Sequence, residues 1–274
     1  MDTTQSRDPI AKALSALTWL VENSQDVGVR ELATALKVSP SSAHRILGAL
    51  VDVGFVRQDE ASSRYSLGLE FLRLCHITTS KQPVRQLAYP HMKALADDCG
   101  ETVVLGLYDR DHLKMMFASE ALPSTPFALR YVIQLDTWIP VYAGATGLGI
   151  MAFLPNAQIQ SVIRSTGLRA LTDKTITSPE ALIKELRATR DRGYAISRGQ
   201  RMPDAGAIAA PVFSSRGEVL GDIAIALPKQ RLDASREKSL ALKVMKCANT
   251  LTADLGGNHP ALDDLSDLNL PSAR

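Results

Sequence analysis

Residues 30–56, RELATALKVSPSSAHRILGALVDVGFV, decide the fold of the first part of this chain. Apolar residues recur at helical spacing on both sides of Ser39-Pro40, which predicts two amphipathic helices. The Ser39 hydroxyl can accept from the unpaired amides of the second helix, and Pro40 suits its first turn. Gly54 can adopt the left-handed conformation that ends this helix. A short helix over residues 29–36, a tight turn and a longer helix over residues 41–53 predict a helix-turn-helix.

The flanking segments extend this motif into a winged helix-turn-helix. An amphipathic helix is predicted over residues 9–23, with Asp8 as its N-cap. Residues 55–68, FVRQDEASSRYSLG, contain two alternating runs around a polar turn, which is typical of a β-hairpin. The alternative is a plain helical domain that carries a surface hairpin. Because the helix lengths, the caps and the hairpin position all agree, we favour a wing.

The rest of the chain predicts an α+β domain. Alternating apolar and β-branched runs at residues 101–108 and 112–119, and again at 205–213 and 219–226, are typical of strand pairs. Helical patterns lie outside these pairs, which favours an antiparallel sheet covered by helices. The other predicted strands cover residues 127–133 and 194–198, and the predicted helices cover residues 84–98, 146–153, 157–164, 179–192 and 234–255.

The predicted organisation has four parts, and the length of 274 residues fits about two domains. The winged helix-turn-helix occupies residues 1–68, and an amphipathic linker helix occupies residues 69–80. Residues 81–256 form the second domain. The tail at residues 257–274 is rich in Gly, Pro, Asp, Asn and Ser, and we expect it to be disordered.

Composition and charge exclude several classes of protein. No apolar run is long enough to cross a membrane, and no basic region precedes the first apolar stretch, so we expect a cytoplasmic protein. The three cysteines are widely spaced, which predicts neither a disulfide framework nor a zinc site. The net charge is only +2, which indicates weak non-specific affinity for DNA.

Motifs of catalysis are absent from the sequence. It contains no Gly-x-Ser-x-Gly elbow, no His-Glu-x-x-His pair and no phosphate-binding Gly-x-x-x-x-Gly-Lys. The glycine run at residues 144–149, GATGLG, lacks the spacing of a dinucleotide loop. We interpret it either as a helix start that faces a ligand anion or as a close contact between helix and sheet. We therefore expect no enzyme, no catalytic residue, no metal and no cofactor.

The order of several sequence blocks resembles the IclR family of bacterial transcription regulators. Residues 30–56 match, as do RYSLGLEFLRL at 64–74, LAYPHMKALADDCGETVVLGLYD at 87–109, IPVYAGATGLGIMAFL at 139–154, RDRGYAISRGQR at 190–201 and AGAIAAPVF at 205–213. The resemblance covers about residues 9–256. It implies operator binding as dimers or dimers of dimers, a GAF-like effector-binding domain for small organic acids or aromatic metabolites, and control of a catabolic operon.

Two positions depart from the family pattern. Gln200 stands where the family often has glutamate, and Ala224 and Ala226 stand where it often has hydroxyl side chains. These departures concern the nature of the effector, while the fold that the resemblance implies is unaffected.

The third helix carries the predicted contacts with double-stranded DNA. We expect this helix to enter the major groove, with Arg45 at a base edge or a phosphate. The wing and the helix cap are expected to hold phosphates and to set the register on the operator. The residues predicted to contact DNA are Ser39, Ser41, Ser42, His44, Arg45, Arg57, Ser63 and Arg64. A solvated surface histidine is the alternative for His44.

The effector is expected between the sheet and the helix that starts near residue 145. Small residues and free amides at a helix start stabilise an anion, and alternate small residues of a strand share one face. An apolar cavity of this kind suits an aromatic or branched carboxylate. The predicted effector-binding residues are Leu105, Leu107, Met116, Ala145, Thr146, Ser197, Ala205, Ala207, Ala224 and Ala226. The alternative is that the alanines only allow tight packing.

Two classes of function remain open at this point. The first is a ligand-responsive regulator that acts as a homodimer or a dimer of dimers, because two half-sites are needed for specificity. The second is an enzyme or signalling module whose N-terminal helices serve oligomerisation. Polar residues on the exposed side of the third helix favour the regulator, since an oligomerisation helix would carry apolar residues there.

Overall fold

A computed structural model describes residues 8–23, 26–80, 83–124, 133–258 and 265 of the chain. The chain divides into two compact units, residues 1–82 and residues 83–274. No described helix combines the length and the apolar character that a bilayer span requires.

The N-terminal unit is a winged helix-turn-helix, as the sequence predicts. Its helices are α1 (Pro9–Asn23), α2 (Val29–Ala35), α3 (Pro40–Asp52) and α4 (Leu69–Ser80), and its hairpin pairs β1 (Val56–Gln58) with β2 (Tyr65–Leu67). Leu20, Leu32, Leu47 and Tyr65 are almost fully buried. They bring one residue from each of α1, α2, α3 and the hairpin into a single core, which fixes the exposed side of α3.

Local signals place the ends of α3. Ser39 is its N-cap, and the Ser39 hydroxyl accepts a hydrogen bond from the Ser42 amide at 3.3 Å. Pro40 occupies the first helical position. Gly54, directly after the helix, has a φ of +74°, a conformation that glycine adopts without steric cost.

The C-terminal unit is an α+β domain, which confirms the predicted class. Its six-stranded sheet has the order β5-β4-β3-β8-β7-β6, and every neighbouring pair is antiparallel. Its helices are α5 (Pro83–Cys99), α6 (Gly144–Met151), α7 (Asn156–Thr166), α8 (Pro179–Arg192) and α9 (Ala234–Asp254); its strands are β3 (Thr102–Asp109), β4 (Lys114–Ala121), β5 (Trp138–Pro140), β6 (Ala195–Arg198), β7 (Ala205–Phe213) and β8 (Val219–Pro228).

Some sequence predictions differ from the structure or fall outside its described part. Strand β5 at Trp138–Pro140 has no counterpart among the predicted strands. The strand predicted over residues 127–133 lies outside the described residues, apart from Ile133. The tail predicted to be disordered also lies outside them, apart from residues 257, 258 and 265.

The sheet of the C-terminal unit has a core on each face. Helices α6, α7 and α8 pack on one face, where Leu148 and Leu182 meet Val104 and Ala224. Helices α5 and α9 pack on the other face, against Ile223 among others. Because alternate strand residues point to opposite faces, every site residue on a strand lies on one of these two faces of the sheet.

Candidate functional site

The exposed side of α3 is polar at the positions that the sequence indicates. Ser41, His44 and Arg45 are exposed, whereas Ala43 and Leu47 are buried in the core. Spacings of three and four residues place the exposed side chains on one helix face. This face contains no core residue, which is compatible with the predicted insertion of α3 into a major groove.

The serines at the start of α3 form a hydroxyl cluster. The Ser39 Oγ lies 3.1 Å from the Ser41 Oγ, and it donates to the Ser42 Oγ at 3.0 Å. The cluster lies at a helix N-terminus, where unpaired amides favour an anion. Its chemistry fits the predicted contact with a DNA phosphate, which stays a prediction.

Arg64 has a structural role that the sequence did not indicate. Its Nε donates to the Asp26 carbonyl oxygen at 2.9 Å, and its Nη2 donates to the Glu31 carboxylate at 2.9 Å. The amide of Gly28 also donates to Glu31 at 2.9 Å. Hydrogen bonds from Gly28 and Arg64 lower the pKa of the Glu31 carboxyl. Arg64 therefore ties the hairpin to the segment before α2, and a phosphate contact would compete with these bonds.

The other two wing residues remain exposed. Arg57 donates through its Nε to the Ser66 Oγ at 2.9 Å, and its side chain lies on the surface of the hairpin. Ser63 has a φ of +56° in the turn between β1 and β2. Both positions are compatible with the predicted phosphate contacts.

Two cations near the start of α3 were not among the residues predicted to contact DNA. Arg30 on α2 and Lys37 in the turn line a shallow depression that also touches Pro40. Both residues are exposed. The signal that could have found them is their position within the helix-turn-helix, where cations beside a recognition helix can neutralise phosphates.

Small residues line the α6 face of the sheet, as expected. The register places Ser197 opposite Ala207 and Ala207 opposite Ala226. Ala209 and Ala224 are paired in the same way and are buried beneath α6. Ala207 and Ala226 are only half-buried. The predicted residues on β6, β7 and β8, with Ala205 at the end of the row, thus share the face that carries Ala145 and Thr146 of α6.

The expected placement of Leu105, Leu107 and Met116 is wrong. Leu105 and Leu107 pack on the opposite face, in the core that α5 and α9 cover. Met116 pairs with Leu107 and points with it. The α6 face instead receives Val104 and Phe117. The error arose because β3 is apolar on both faces, so its sequence shows no alternation that would assign a face.

A cavity of about 510 Å³ opens beside Arg201, whose stem lies near Gly144 at the start of α6. Its walls are the apolar Phe117, Ile133, Ile139 and Met202, together with Gln134, Thr137 and Arg201. The guanidinium carbon of Arg201 lies 4.7 Å from the centre of the Phe117 ring. The cavity therefore combines an apolar wall with a cation, and Arg201 is a candidate that sequence analysis missed although it follows Gln200 directly.

The loop that carries Arg201 is held by two threonines. The Thr172 hydroxyl donates to the Gly199 carbonyl oxygen at 2.7 Å, and the Thr175 hydroxyl donates to the Gln200 carbonyl oxygen at 2.7 Å. The Gln200 amide donates to the Ser197 Oγ at 3.4 Å. These bonds fix the backbone on the N-terminal side of Arg201, from which its side chain starts.

Asp222 is a buried carboxyl on the α6 face of β8. Its side chain is fully buried, and neither oxygen has a hydrogen-bond partner among the described residues. Burial raises the pKa of Asp222 well above its ordinary value, although the Gly106 amide and the charge of Arg201 act in the other direction. Burial therefore favours the protonated form.

Comparisons with known proteins identify relatives of both units of the chain. The model of the IclR helix-turn-helix domain matches residues 9–60, and the model of the C-terminal domain of the bacterial transcriptional regulator IclR matches residues 76–253. The HTH-type transcriptional regulator KipR of Bacillus subtilis is 30% identical over 256 residues, which are 92% of this chain and 99% of KipR.

A second relative and a solved structure extend the comparison. The glycerol operon regulatory protein of Streptomyces coelicolor is 29% identical, over 90% of this chain and 96% of its own length. The crystal structure of an IclR homologue from Microbacterium hydrocarbonoxydans, complexed with 4-hydroxybenzoate, has a TM-score of 0.75 and 22% identity, and covers 89% of this chain and 98% of that one. The similarity to this solved structure, at 22% identity, concerns the fold alone.

Proposed function

The chain belongs to the IclR family of bacterial DNA-binding transcriptional regulators, and we propose that it controls a catabolic operon in response to a small organic acid. The family's regulators bind DNA through the helix-turn-helix and a ligand through the C-terminal domain. The observation that supports the DNA-binding part of the proposal is the exposed polar face of α3, with Arg45 at its centre. We assign residues 1–68 to DNA binding, residues 69–80 to the linker and residues 81–256 to the effector.

The effector that we propose is an aromatic or branched carboxylate. An apolar cavity with one cation in its wall supports this class. The homologue from M. hydrocarbonoxydans, which shares the fold, was solved with 4-hydroxybenzoate. A regulator of metabolism that reads chromosomal operators would act in the cytoplasm. We expect no catalytic activity, because the relatives reported above are regulators.

Replacing Arg45 with alanine is expected to weaken operator binding by about tenfold to a hundredfold, since one good contact with a base edge contributes about 1–3 kcal/mol. The probe is DNA selected from a random library by the wild-type chain, and gel-shift titrations measure the affinity. Arg216→Ala is the matched control, because Arg216 is an exposed arginine of the other unit. If Arg45→Ala binds the selected DNA as tightly as the wild type, the assignment of α3 is wrong.

Exposed apolar residues support a homodimer as the smallest assembly. Ile10 and Leu14 on α1 are 70% and 61% exposed, and Leu69 and Leu72 on α4 are 81% and 54% exposed. Large apolar side chains grouped on a surface commonly mark a contact between proteins. We propose that α1 and α4 carry the contact between copies of the chain, and that dimers can pair further.

Sedimentation velocity at micromolar concentration is expected to show a dimer of the wild-type chain. The double substitution Leu14→Asp with Leu72→Asp should shift the chain towards monomer, because two carboxylates would have to be desolvated in the contact. Leu171→Asp, which changes an exposed leucine of the other unit, should remain dimeric. A wild-type chain that sediments as a monomer with operator DNA present would contradict the proposal.

A further inference from the structure

The hairpin that follows α3 carries two arginines, Arg57 and Arg64, which are bonded in different ways. Arg57 donates to the Ser66 Oγ at 2.9 Å, within the hairpin itself. Arg64 reaches out of the hairpin, where its Nη2 donates to the Asp26 carbonyl oxygen at 2.6 Å and to the Glu31 Oε2 at 2.9 Å. The guanidinium of Arg64 therefore joins the hairpin to the segment before α2 and to α2 itself.

The backbone next to Arg64 makes the same connection. The Val27 amide donates to the Tyr65 carbonyl oxygen at 2.8 Å, and the Tyr65 amide donates to the Val27 carbonyl oxygen at 2.8 Å. Val27 and Tyr65 are buried, whereas the side chains of Arg64 and Glu31 are 42% and 51% exposed. The hairpin is thus attached by backbone bonds in the core, and the guanidinium adds a second attachment at the surface.

The start of α2 holds Glu31 in place for this contact. Glu31 is the third residue of the helix, and the Gly28 amide donates to its Oε2 at 2.9 Å. Hydrogen bonds from Gly28 and from Arg64 lower the pKa of the Glu31 carboxyl, so the carboxyl is ionised at neutral pH. The contact is specific to arginine, because a planar fork can reach the Asp26 carbonyl oxygen and the Glu31 carboxylate at once.

The charge of Arg64 is poorly placed for a DNA phosphate while these bonds exist. The Glu31 carboxylate at 2.9 Å cancels most of the positive potential that a phosphate would experience, since the pair has no net charge. The turn of the hairpin adds two further acids, Asp59 and Glu60. Arg57, which is bonded to a neutral hydroxyl, is the better candidate for a phosphate contact from the hairpin.

We propose that Arg64 is a positioning residue for DNA binding, which holds the hairpin in the orientation that the operator requires and does not itself contact a phosphate. A hairpin that is ordered before binding loses less conformational entropy in the complex. Without the guanidinium, the hairpin would still reach the DNA, but binding would have to order it. The inference rests on the proposed assignment of DNA binding to residues 1–68, and it replaces the phosphate contact that the sequence predicts for Arg64.

The test compares Arg64→Ala and Arg64→Lys with the wild type on DNA that the wild-type chain selects from a random library. Gel-shift titrations at several salt concentrations measure the affinity and the slope of its logarithm against the logarithm of the salt concentration. Both variants should bind about threefold to tenfold more weakly, because lysine keeps the charge but lacks the planar fork. The slope should stay within about 0.3 of the wild-type value, since no phosphate contact is lost.

A double-mutant cycle with Glu31→Gln separates the two possible roles of Arg64, because the direct effect of the Glu31 charge on DNA cancels in it. Glutamine can still accept from the Gly28 amide, while its bond with Arg64 is no longer charge-assisted. For a positioning residue, Arg64→Ala should reduce the affinity less in the Glu31→Gln chain than in the wild type. For a phosphate contact it should reduce the affinity more, because the released guanidinium would already have moved to the DNA.

Two controls accompany the affinity measurements. Arg110→Ala is the matched variant, because Arg110 also forms an exposed pair with a glutamate, Glu218, and it should bind the selected DNA like the wild type. Hydrogen exchange of the Val27 and Tyr65 amides reports the order of the hairpin in the DNA-free chain, and it should be faster in Arg64→Ala. Circular dichroism at the same temperature verifies that each variant is folded.

The outcomes distinguish this inference from the proposed function. Unchanged affinity of Arg64→Ala, or unchanged exchange of both amides, overturns the positioning role. A slope that is shallower by about 0.9 in Arg64→Ala, with wild-type affinity in Arg64→Lys, also overturns it and assigns a phosphate contact to Arg64. In each of these cases DNA binding by residues 1–68 stands. A wild-type chain that selects no DNA overturns that assignment, and this inference with it.

Discussion

Replacing Gly147 with alanine is expected to lower the free energy of unfolding of the C-terminal unit by about 3 kcal/mol, at the upper end of what overpacking costs. A Cβ on Gly147 would lie 2.8 Å from the carbonyl carbon of Val141 and closer still to its oxygen. These atoms belong to the backbone that leads into α6, so they cannot move aside as a flexible side chain could. Both Val141 and Gly147 are buried, and the strain would spread through the core.

Urea unfolding followed by circular dichroism measures this effect. Gly48→Ala is the matched control, because Gly48 is also helical and nothing lies within 4 Å of a Cβ built on it. That substitution should raise stability by about 0.5–1 kcal/mol, since alanine loses less conformational entropy in a helix. Equal unfolding midpoints for Gly147→Ala and the wild type would show that α6 does not pack closely on this segment.

Each glycine of the run at residues 144–149 has a structural reason, which is a positive φ at Gly144 and a close contact at Gly147 and Gly149. Gly144 has a φ of +82°. A Cβ on Gly149 would lie 3.3 Å from the Ala209 Cβ. The run therefore supports the alternative of a close helix–sheet contact, and the same close approach brings the start of α6 next to the Arg201 loop.

Replacing Asp222 with asparagine is expected to make stability less dependent on pH. Burial raises the pKa of Asp222 in the folded chain, so the folded chain keeps a proton that the unfolded chain releases above about pH 4. The contribution of Asp222 to stability is fully present below that pH. As pH rises from there to the folded pKa, stability falls by up to about 1.4 kcal/mol per pH unit. Asparagine cannot ionise, so the variant does not lose this part of its stability as the pH rises.

The measurement is the free energy of unfolding of both chains between pH 4 and pH 8. The difference, Asp222→Asn minus wild type, should rise as the pH rises, whatever its value at pH 4. Asp173→Asn is the control, because the Asp173 side chain is 78% exposed and stays hydrated in both the folded and the unfolded chain. Parallel stability curves for Asp222→Asn and the wild type would mean that the buried carboxyl is already compensated by neighbouring groups.

The helix-turn-helix could be predicted from sequence because its signals are local. The Ser39 cap, Pro40 and Gly54 act within one turn of the helix ends that they define. The apolar spacing of α3 also identified its exposed face, since a helix packed on one side exposes the residues of the other. The candidate DNA contacts of α3 therefore lie on the surface as expected.

The sensor site could be predicted only in part. Alternation along β7 and β8 correctly grouped Ala207 with Ala205 and Ala224 with Ala226. The same rule grouped Leu105 with Leu107 correctly, but it could not assign their face, because a strand buried on both faces shows no polar side. Sequence periodicity indicates which residues share a face of the sheet, but it does not indicate which helix covers that face.

By itself, the sequence determined the winged helix-turn-helix, the α+β class and the small-residue face, all of which depend on neighbours in the chain. The tertiary structure alone decided three features that join distant segments. Arg64 meets Asp26 across 38 positions, Arg201 stacks on Phe117, and β3 and α6 enclose Asp222. Each depends on loop closure and on core packing, whose energies come from the whole fold and leave no periodic signal in the sequence.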